Sequence, residues 1–244
     1  MCGRYSLFAS REDLVDAVGA DPEREIEPRY NMAPGEELPV VRDAVSDRIE
    51  FLQWGLVPPW ADDESVGNDL INARAETVAE KPSFRDALRQ THADAGGPHA
   101  GRCLVPADGF YEWVDEGDGK QPYRVAFEDD RPFAMAGLWA TWETEVEQVG
   151  LDAFGDGGGA TTERRRLDTF AVVTTEPNDL VADLHHRMAV ILGPDERQAW
   201  LDADPADAVG LLDPYPDDEM RAYPVSTAVN DPSNDASALA EPLD

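Results

Sequence analysis

The residues with the most distinctive chemistry stand at the beginning of the chain, in Met1-Cys2-Gly3-Arg4. An initiator methionine is normally removed when the next residue is small, and cysteine is small. The processed chain then begins with cysteine and carries a free α-amine and a thiol on one carbon skeleton. An α-amine titrates near ~7.7–8.0 and a thiol near ~8.5, so both are nucleophilic close to neutrality. Such a 1,2-aminothiol condenses with an aldehyde to an imine, and the sulfur then closes onto the imine carbon to give a thiazolidine. That reaction is open to no internal residue. Read alone, the motif also fits an ordinary chain start with a small buried cysteine just inside it.

Other residues suited to chemistry lie far from Cys2 in the sequence. Glu112 sits in Ala107-Asp108-Gly109-Phe110-Tyr111-Glu112-Trp113-Val114. Strand alternation places it on the face of Phe110 and Val114, opposite Tyr111 and Trp113. A carboxylate on an apolar face is desolvated and its pKa rises toward neutrality, which suits proton transfer. The alternative is a solvent-facing glutamate on an edge strand. His185 and His186 close an expected helix, where an imidazolium complements the helix dipole or moves protons. Asn72 can orient a reacting group without titrating, with Arg74 two residues on for a phosphate, or it can simply form a turn. Trp54, Trp60 and Trp113 serve either as core or as stacking surfaces for bases. Arg164-Arg165-Arg166 fits an exposed loop end or a backbone track. Cys103, inside an apolar strand, reads as inert core.

Composition bounds the rest. The chain has 244 residues, 42% hydrophobic and 8% aromatic, enough for a substantial core. No apolar run approaches a membrane span and no basic-then-apolar leader opens the chain, so a cytoplasmic protein without membrane attachment is expected. With two cysteines and no C-x-x-C pair, neither a disulfide framework nor a metal site is expected, and His92 and His99 lie in a Gly-rich connection without ligand spacing. No cofactor motif appears. The 20 basic residues face 51 acidic ones, a net charge of −31, and only Lys81 and Lys120 are lysines. Such a surface repels itself in dilute buffer, but at molar salt the Debye length falls to ~3 Å. The composition reads as adaptation to a high-salt interior.

The elements that must position these residues follow from pattern. Strands are expected at 4–8, 38–42, 48–57, 102–114, 121–127, 133–142, 169–174 and 189–192. Helices are expected after Ser10 to Gly19, over 83–90, from Pro177 to about Leu184, and over 194–201. Residues 143–166, acidic and Gly-rich, read as an insertion loop, and residues 231–244 as a flexible tail. The expected fold class is α+β: a single domain with a mixed, mostly antiparallel sheet curled towards a barrel and a few short flanking helices.

Seven stretches, taken in order, resemble the SRAP (SOS-response-associated peptidase-like) family of abasic-site processing proteins. They are Met1–Tyr5, Arg29–Gly35, Trp54–Pro58, Ile71–Thr77, Arg102–Trp113, Asp183–Met188 and Pro224–Ser226. The pattern departs from the family at His186 and Ala189. The resemblance implies a domain over 1–230. It also implies that Cys2 captures the open-chain sugar aldehyde of an abasic site in single-stranded DNA, including single-strand/duplex junctions, as a protective thiazolidine crosslink. It implies that Asn72 positions the amine and sugar, and that Glu112 and His185 move protons during ring opening and imine formation. Arg4, Arg74 and Arg187 are implied as phosphate contacts, and Trp60 and Pro34 as base contacts. A monomer is expected. Two other classes fit the same chain start. One is an N-terminal-nucleophile cysteine amidohydrolase or self-processing peptidase. The other is a non-catalytic module for single-strand/duplex junctions.

Overall fold

Local signals build the first helix as expected. Ser10 caps it, its hydroxyl accepting from the Asp13 N–H, and Gly19 ends it in the left-handed region at φ 71°. The computed structural model describes residues 2–22, 24–42, 48–89, 100–117, 119–148 and 161–243. In chain order the elements are β1 (Tyr5–Leu7), α1 (Arg11–Val18), β2 (Asp21–Pro22), β3 (Arg29–Met32), β4 (Glu37–Val40), β5 (Arg48–Trp54), β6 (Asn72–Arg74) and α2 (Arg85–Arg89). Then come β7 (Ala100–Ala107), β8 (Gly109–Asp115), β9 (Lys120–Phe127), β10 (Phe133–Gln148) and β11 (Thr161–Thr175). The chain finishes with α3 (Asp179–Ala182), β12 (Met188–Ala189), β13 (Ile191–Leu192), α4 (Glu196–Asp202), α5 (Pro205–Val209) and β14 (Met220–Pro224).

The strands form two sheets. One is antiparallel throughout, in the order β14-β9-β8-β1-β3. The other is mixed, with β13-β10-β11-β5-β2 as its spine, β7 on β10, β4 on β5, and β6 and β12 on β11. In it β5 and β6 run parallel to β11. The class is α+β, as expected, but neither sheet closes into a barrel: both remain open, and they share one apolar core that includes Tyr5, Phe110 and Val125 from the first and Leu104, Val172 and Phe170 from the second.

The strand expected over 102–114 divides at Asp108, where the chain passes from one sheet to the other. The Asp108 carboxylate is fully buried and accepts from the Ser6 hydroxyl at 2.6 Å, the Phe8 N–H, the Ala9 N–H at 3.1 Å and Arg124 Nη2 at 3.2 Å. This cluster fixes the end of β1 to β8 and β9. A buried carboxylate needs such partners, because an unpaired one costs several kcal/mol or more.

Gly55 ends β5 at φ 128°, and a Cβ there would stand 2.7 Å from the Gly67 carbonyl oxygen. Only glycine permits this approach. Beyond it Leu56–Pro58 stay buried, with the Val57 N–H on Thr169 Oγ1 at 2.9 Å, and the chain reaches solvent at Pro59 and Trp60.

Two expectations are corrected by the pairing. Residues 143–148 and 161–166 are not loop but continue β10 and β11, with Glu143 opposite Arg166 and Glu145 opposite Arg164. Opposite charges directly across an antiparallel pair favour the ladder, a pairing hidden when the segment is read as a run of acids and glycines. The Gly-rich centre of that region, and His92 and His99, lie outside the described residues. Residues 231–243 are likewise packed, not loose. Leu239 is buried with Tyr111, Val225 and Val229, Asp235 binds Arg29 and accepts the Tyr30 N–H at 2.6 Å, and the Leu243 N–H donates to the Pro224 carbonyl at 2.9 Å. Leu239 is the buried anchor of a segment whose other residues are mostly exposed. The helix placed at Pro177 begins two residues later, capped by the Asn178 side chain on the Val181 N–H.

Candidate active site

Cys2 lies three residues before β1 begins and is wholly buried. The first sheet thus carries the sulfur inward. Its carbonyl accepts from Asn72 Nδ2 at 2.8 Å. Asn72 opens β6, paired in parallel with Val172 of β11, so this bond ties the chain start to the second sheet. The other side of the Asn72 amide, Oδ1, is buried without a hydrogen-bond partner among the described residues. An unsatisfied buried acceptor costs about 1–3 kcal/mol, so its position calls for a donor.

Glu112 arrives from β8, an interior strand between β1 and β9, and is 2% exposed. That excludes the solvent-facing alternative. Its strand neighbours divide as alternation dictates: Phe110 faces the main core, and Tyr111 and Trp113 the smaller cluster under the C-terminal segment. Burial raises the Glu112 carboxyl to about 7. Burial, and next the Glu112 charge, push the Cys2 thiol up to about 12. The sulfur is therefore a neutral thiol at physiological pH, and a proton acceptor must take its hydrogen before it attacks.

His185 follows α3 and places Nδ1 3.9 Å from Glu112 Oε2. That is beyond hydrogen-bond length, close enough for strong electrostatic coupling or one bridging water. Nδ1 also lies 3.1 Å from the Arg187 backbone nitrogen and 3.2 Å from its carbonyl oxygen, so the Arg187 backbone holds the ring whichever nitrogen carries the proton. Burial lowers the His185 pKa. Burial thus moves the carboxyl up toward neutrality and the imidazole further below it, so a carboxyl able to hold a proton stands beside an imidazole held in its neutral form. His186 is exposed, its ring 4.2 Å from that of His185, and makes no comparable approach to Glu112. The geometry separates the two histidines where spacing did not.

The remaining predicted residues fall into two groups. Trp60 is 57% exposed, and Pro34 and Arg74 are also exposed. Trp54 is core, its Nε1 donating to the Ile71 carbonyl at 2.9 Å, and Trp113 is half-buried with Nε1 on Asn230 Oδ1 at 2.7 Å. Arg4 and Arg187 are committed internally. Arg4 Nη1 donates to Asn31 Oδ1 and to the Val229 carbonyl at 2.7 Å. Arg187 is almost wholly buried, forked onto the Glu76 carboxylate and bonded to the Thr174 carbonyl. Rather than standing open to a phosphate, it holds the turn that carries His185 against β11. The spacing around Arg187 could not show this, because Glu76 lies more than a hundred positions away.

Asn31 is the residue that sequence reasoning passed over as part of a turn. It is fully buried, and besides receiving Arg4 it donates through Nδ2 to the carbonyls of Asp231 at 3.0 Å and Asn234 at 2.7 Å. The arm that presents Cys2 is thereby locked to the C-terminal segment. The signal is an amide inside an otherwise apolar Tyr30-Asn31-Met32-Ala33 run. Among the described residues, no cluster of three or more His, Cys, Asp or Glu could hold a metal ion, and no helix is long and apolar enough to cross a membrane.

Fold and site together define a one-domain mixed-sheet protein with a buried cysteine at its second position, set against an amide, a carboxyl and an imidazole where two sheets meet. The chain belongs to the SRAP family, matching SOS response associated peptidase (SRAP) over residues 1–232. It is similar to the abasic site processing protein YoqW of Bacillus subtilis, 39% identical with 99% of each chain covered. It is also similar to the abasic site processing protein YedK of Escherichia coli, 30% identical with 100% of each covered. A third relative is the abasic site processing protein HMCES of Gallus gallus, 30% identical over 89% of this chain and 67% of that one. A crystal structure of a Bacteroides thetaiotaomicron protein superposes with a TM-score of 0.78 at 26% identity, covering 99% of this chain and 100% of that one.

Proposed function

We propose that this protein processes abasic sites in DNA by covalent capture, with Cys2 as the nucleophile once Met1 is removed. The observation that carries the reading is the convergence of Cys2, Asn72, Glu112 and His185 from four separate parts of the chain. The relatives named as abasic site processing proteins support the substrate class.

The chemistry follows from the groups present. An abasic sugar spends most of its time as a cyclic hemiacetal, so an acid and a base must open it. Glu112 near neutrality and neutral His185 can divide these roles. Removing Met1 frees an α-amine at Cys2, and Asn72 Oδ1 is the acceptor that then orients it. The amine attacks C1′ and water leaves to give the imine. The Cys2 sulfur adds to the same carbon while its proton passes to a neighbouring base, for which Glu112 is placed. Net, one C–N and one C–S bond form and one water is lost. Closure within one residue gains an effective molarity on the order of 10⁵ M, so the adduct persists and shields the lesion. Arg74, Trp60 and Pro34 are the exposed groups that meet the strand, and Arg4 keeps its arm in register.

The direct test is incubation with a uracil-excised single-stranded oligonucleotide and its undamaged counterpart, followed by a denaturing gel. Retention of the damaged strand alone supports the reading. Glutamine hydrolysis without any retained strand favours the amidohydrolase class, and reversible binding alone favours the non-catalytic module.

Two further outcomes are expected. His185→Asn slows capture by on the order of 10²-fold, as loss of a general acid–base group does, while His186→Asn stays close to wild type; single-turnover rates decide it. Capture also proceeds in ~2 M KCl, where the Debye length is below ~3 Å and the self-repulsion of a −31 chain is screened. A capture rate that collapses between ~1 and ~3 M KCl contradicts the high-salt reading.

A further inference from the structure

Most cations of this acidic chain are spent internally. Arg29, Arg42, Arg124, Arg187 and Arg221 all meet carboxylates, and Arg102 is buried on carbonyl oxygens. Against that background, Arg74, Lys81 and Arg89 stand out. All three are exposed, and their side chains form no hydrogen bond or salt bridge among the described residues. They fall in one stretch that starts two residues after Asn72. Arg85, in the same stretch, reaches only its neighbour Asp86 at 3.5 Å in a largely exposed pair, which holds it weakly. The acids nearby are Asp86, Glu80, and Glu76, which is tied to Arg187.

The backbone lines these cations up. Arg74 ends β6, and the chain then winds through successive turns: Lys81 N–H on the Thr77 carbonyl at 3.0 Å, Arg85 N–H on Lys81 at 2.9 Å, Leu88 N–H on Phe84 at 2.9 Å. Phe84, Ala87 and Leu88 are buried beneath. Lys81, Arg85 and Arg89, four residues apart, share the exposed flank. Beneath them the strands run β6, β11, β10, β7, and α2 lies against β10 and β7. Three interstrand spacings carry the row roughly 15 Å from the site.

We propose that Arg74, Lys81, Arg85 and Arg89 form a track for the phosphodiester backbone of single-stranded DNA beyond the captured nucleotide. The proposal rests on the DNA reading of the site but not on its covalent chemistry. It is therefore tested with undamaged strands, where failure to capture an aldehyde has no bearing.

The experiment is equilibrium binding of fluorescent single strands of about 5 and about 20 nucleotides, within the range of single-strand binding sites and well beyond it, across a salt series. For the wild type the long strand binds tighter and with a steeper salt dependence. In the double variant Lys81→Glu, Arg89→Glu, long-strand affinity falls on the order of tenfold or more. The slope of log K against log salt shrinks by about 1.4, about 0.7 per lost phosphate contact. The advantage of length disappears with it. The control double variant Lys120→Glu, Arg164→Glu changes the net charge equally at exposed positions elsewhere and keeps that advantage. Unfolding scans verify that each variant folds, and the milder glutamine pair at the same two positions replaces either one that does not. A full length advantage in the Lys81/Arg89 variant overturns the track and leaves these as solvated surface charges. An equal loss in the control, or a wild type that binds neither strand, overturns it too.

Discussion

Replacing Cys2 by alanine is expected to eliminate the strand retained under denaturing conditions while reversible binding to the same DNA remains. The site is fully buried, but alanine is smaller than cysteine and loses only the sulfur, so the fold tolerates the change. What disappears is ring closure. The processed variant keeps an α-amine and still forms an imine, which hydrolyses when the protein unfolds. The stable adduct should fall by about 10³-fold or more, since the effective molarity of an adjacent thiol is lost. Borohydride added before denaturation should rescue a fraction of the adduct, because it reduces the imine. Full retention without reductant in Cys2→Ala would exclude the thiol from the product.

Glu112→Gln is expected to slow capture and stabilise the protein at the same time. The rate should drop by about 10²–10⁴-fold, the usual worth of a positioned acid–base group, and the pH–rate limb near 7 should vanish. The stability sign follows from proton linkage. Burial raises this carboxyl from 4.5 to about 7 in the native state. Between those values the native chain holds a proton that the unfolded chain releases, so the native state loses ground as pH rises through 7. Above that the burial of a charged carboxylate costs roughly 3 kcal/mol, which the glutamine removes. The variant should therefore melt at a higher temperature than wild type at pH 8 and show no such gain at pH 4. Equal melting points at pH 8 would mean that the carboxyl is not desolvated as the structure describes. A site that costs the fold stability is what a chemical role for Glu112 requires.

Much of this arrangement is legible in the sequence because its parts are local. The Ser10 cap, the Gly19 stop and the alternation that puts Glu112 on the Phe110 face are decided by residues within a few positions of each other. What sequence does not reach is pairing over long separations. Arg187 reads as an open cation until Glu76 is brought beside it, and the break at Asp108 is invisible until Ser6 and Arg124 arrive to pair it. The C-terminal segment reads as loose because it is acidic and Pro-rich, yet Leu239 and the Asn31 amide fasten it. Charge misleads in the same way at 143–145 and 164–166, where glutamates and arginines taken one at a time look like solvent, and taken across a ladder are paired strands. In each case an isolated polar residue is the clue, and its distant partner is the missing fact.

The central claim is that a processed chain offers its terminal amine and neighbouring sulfur to one sugar carbon. Intact mass spectrometry after incubation with a uracil-excised single strand tests it in one step. The account predicts a species equal to the chain without Met1 plus the abasic oligonucleotide less one water, stable without reductant. A covalent adduct on protein that still carries Met1, or an unmodified protein beside intact abasic DNA, would contradict it.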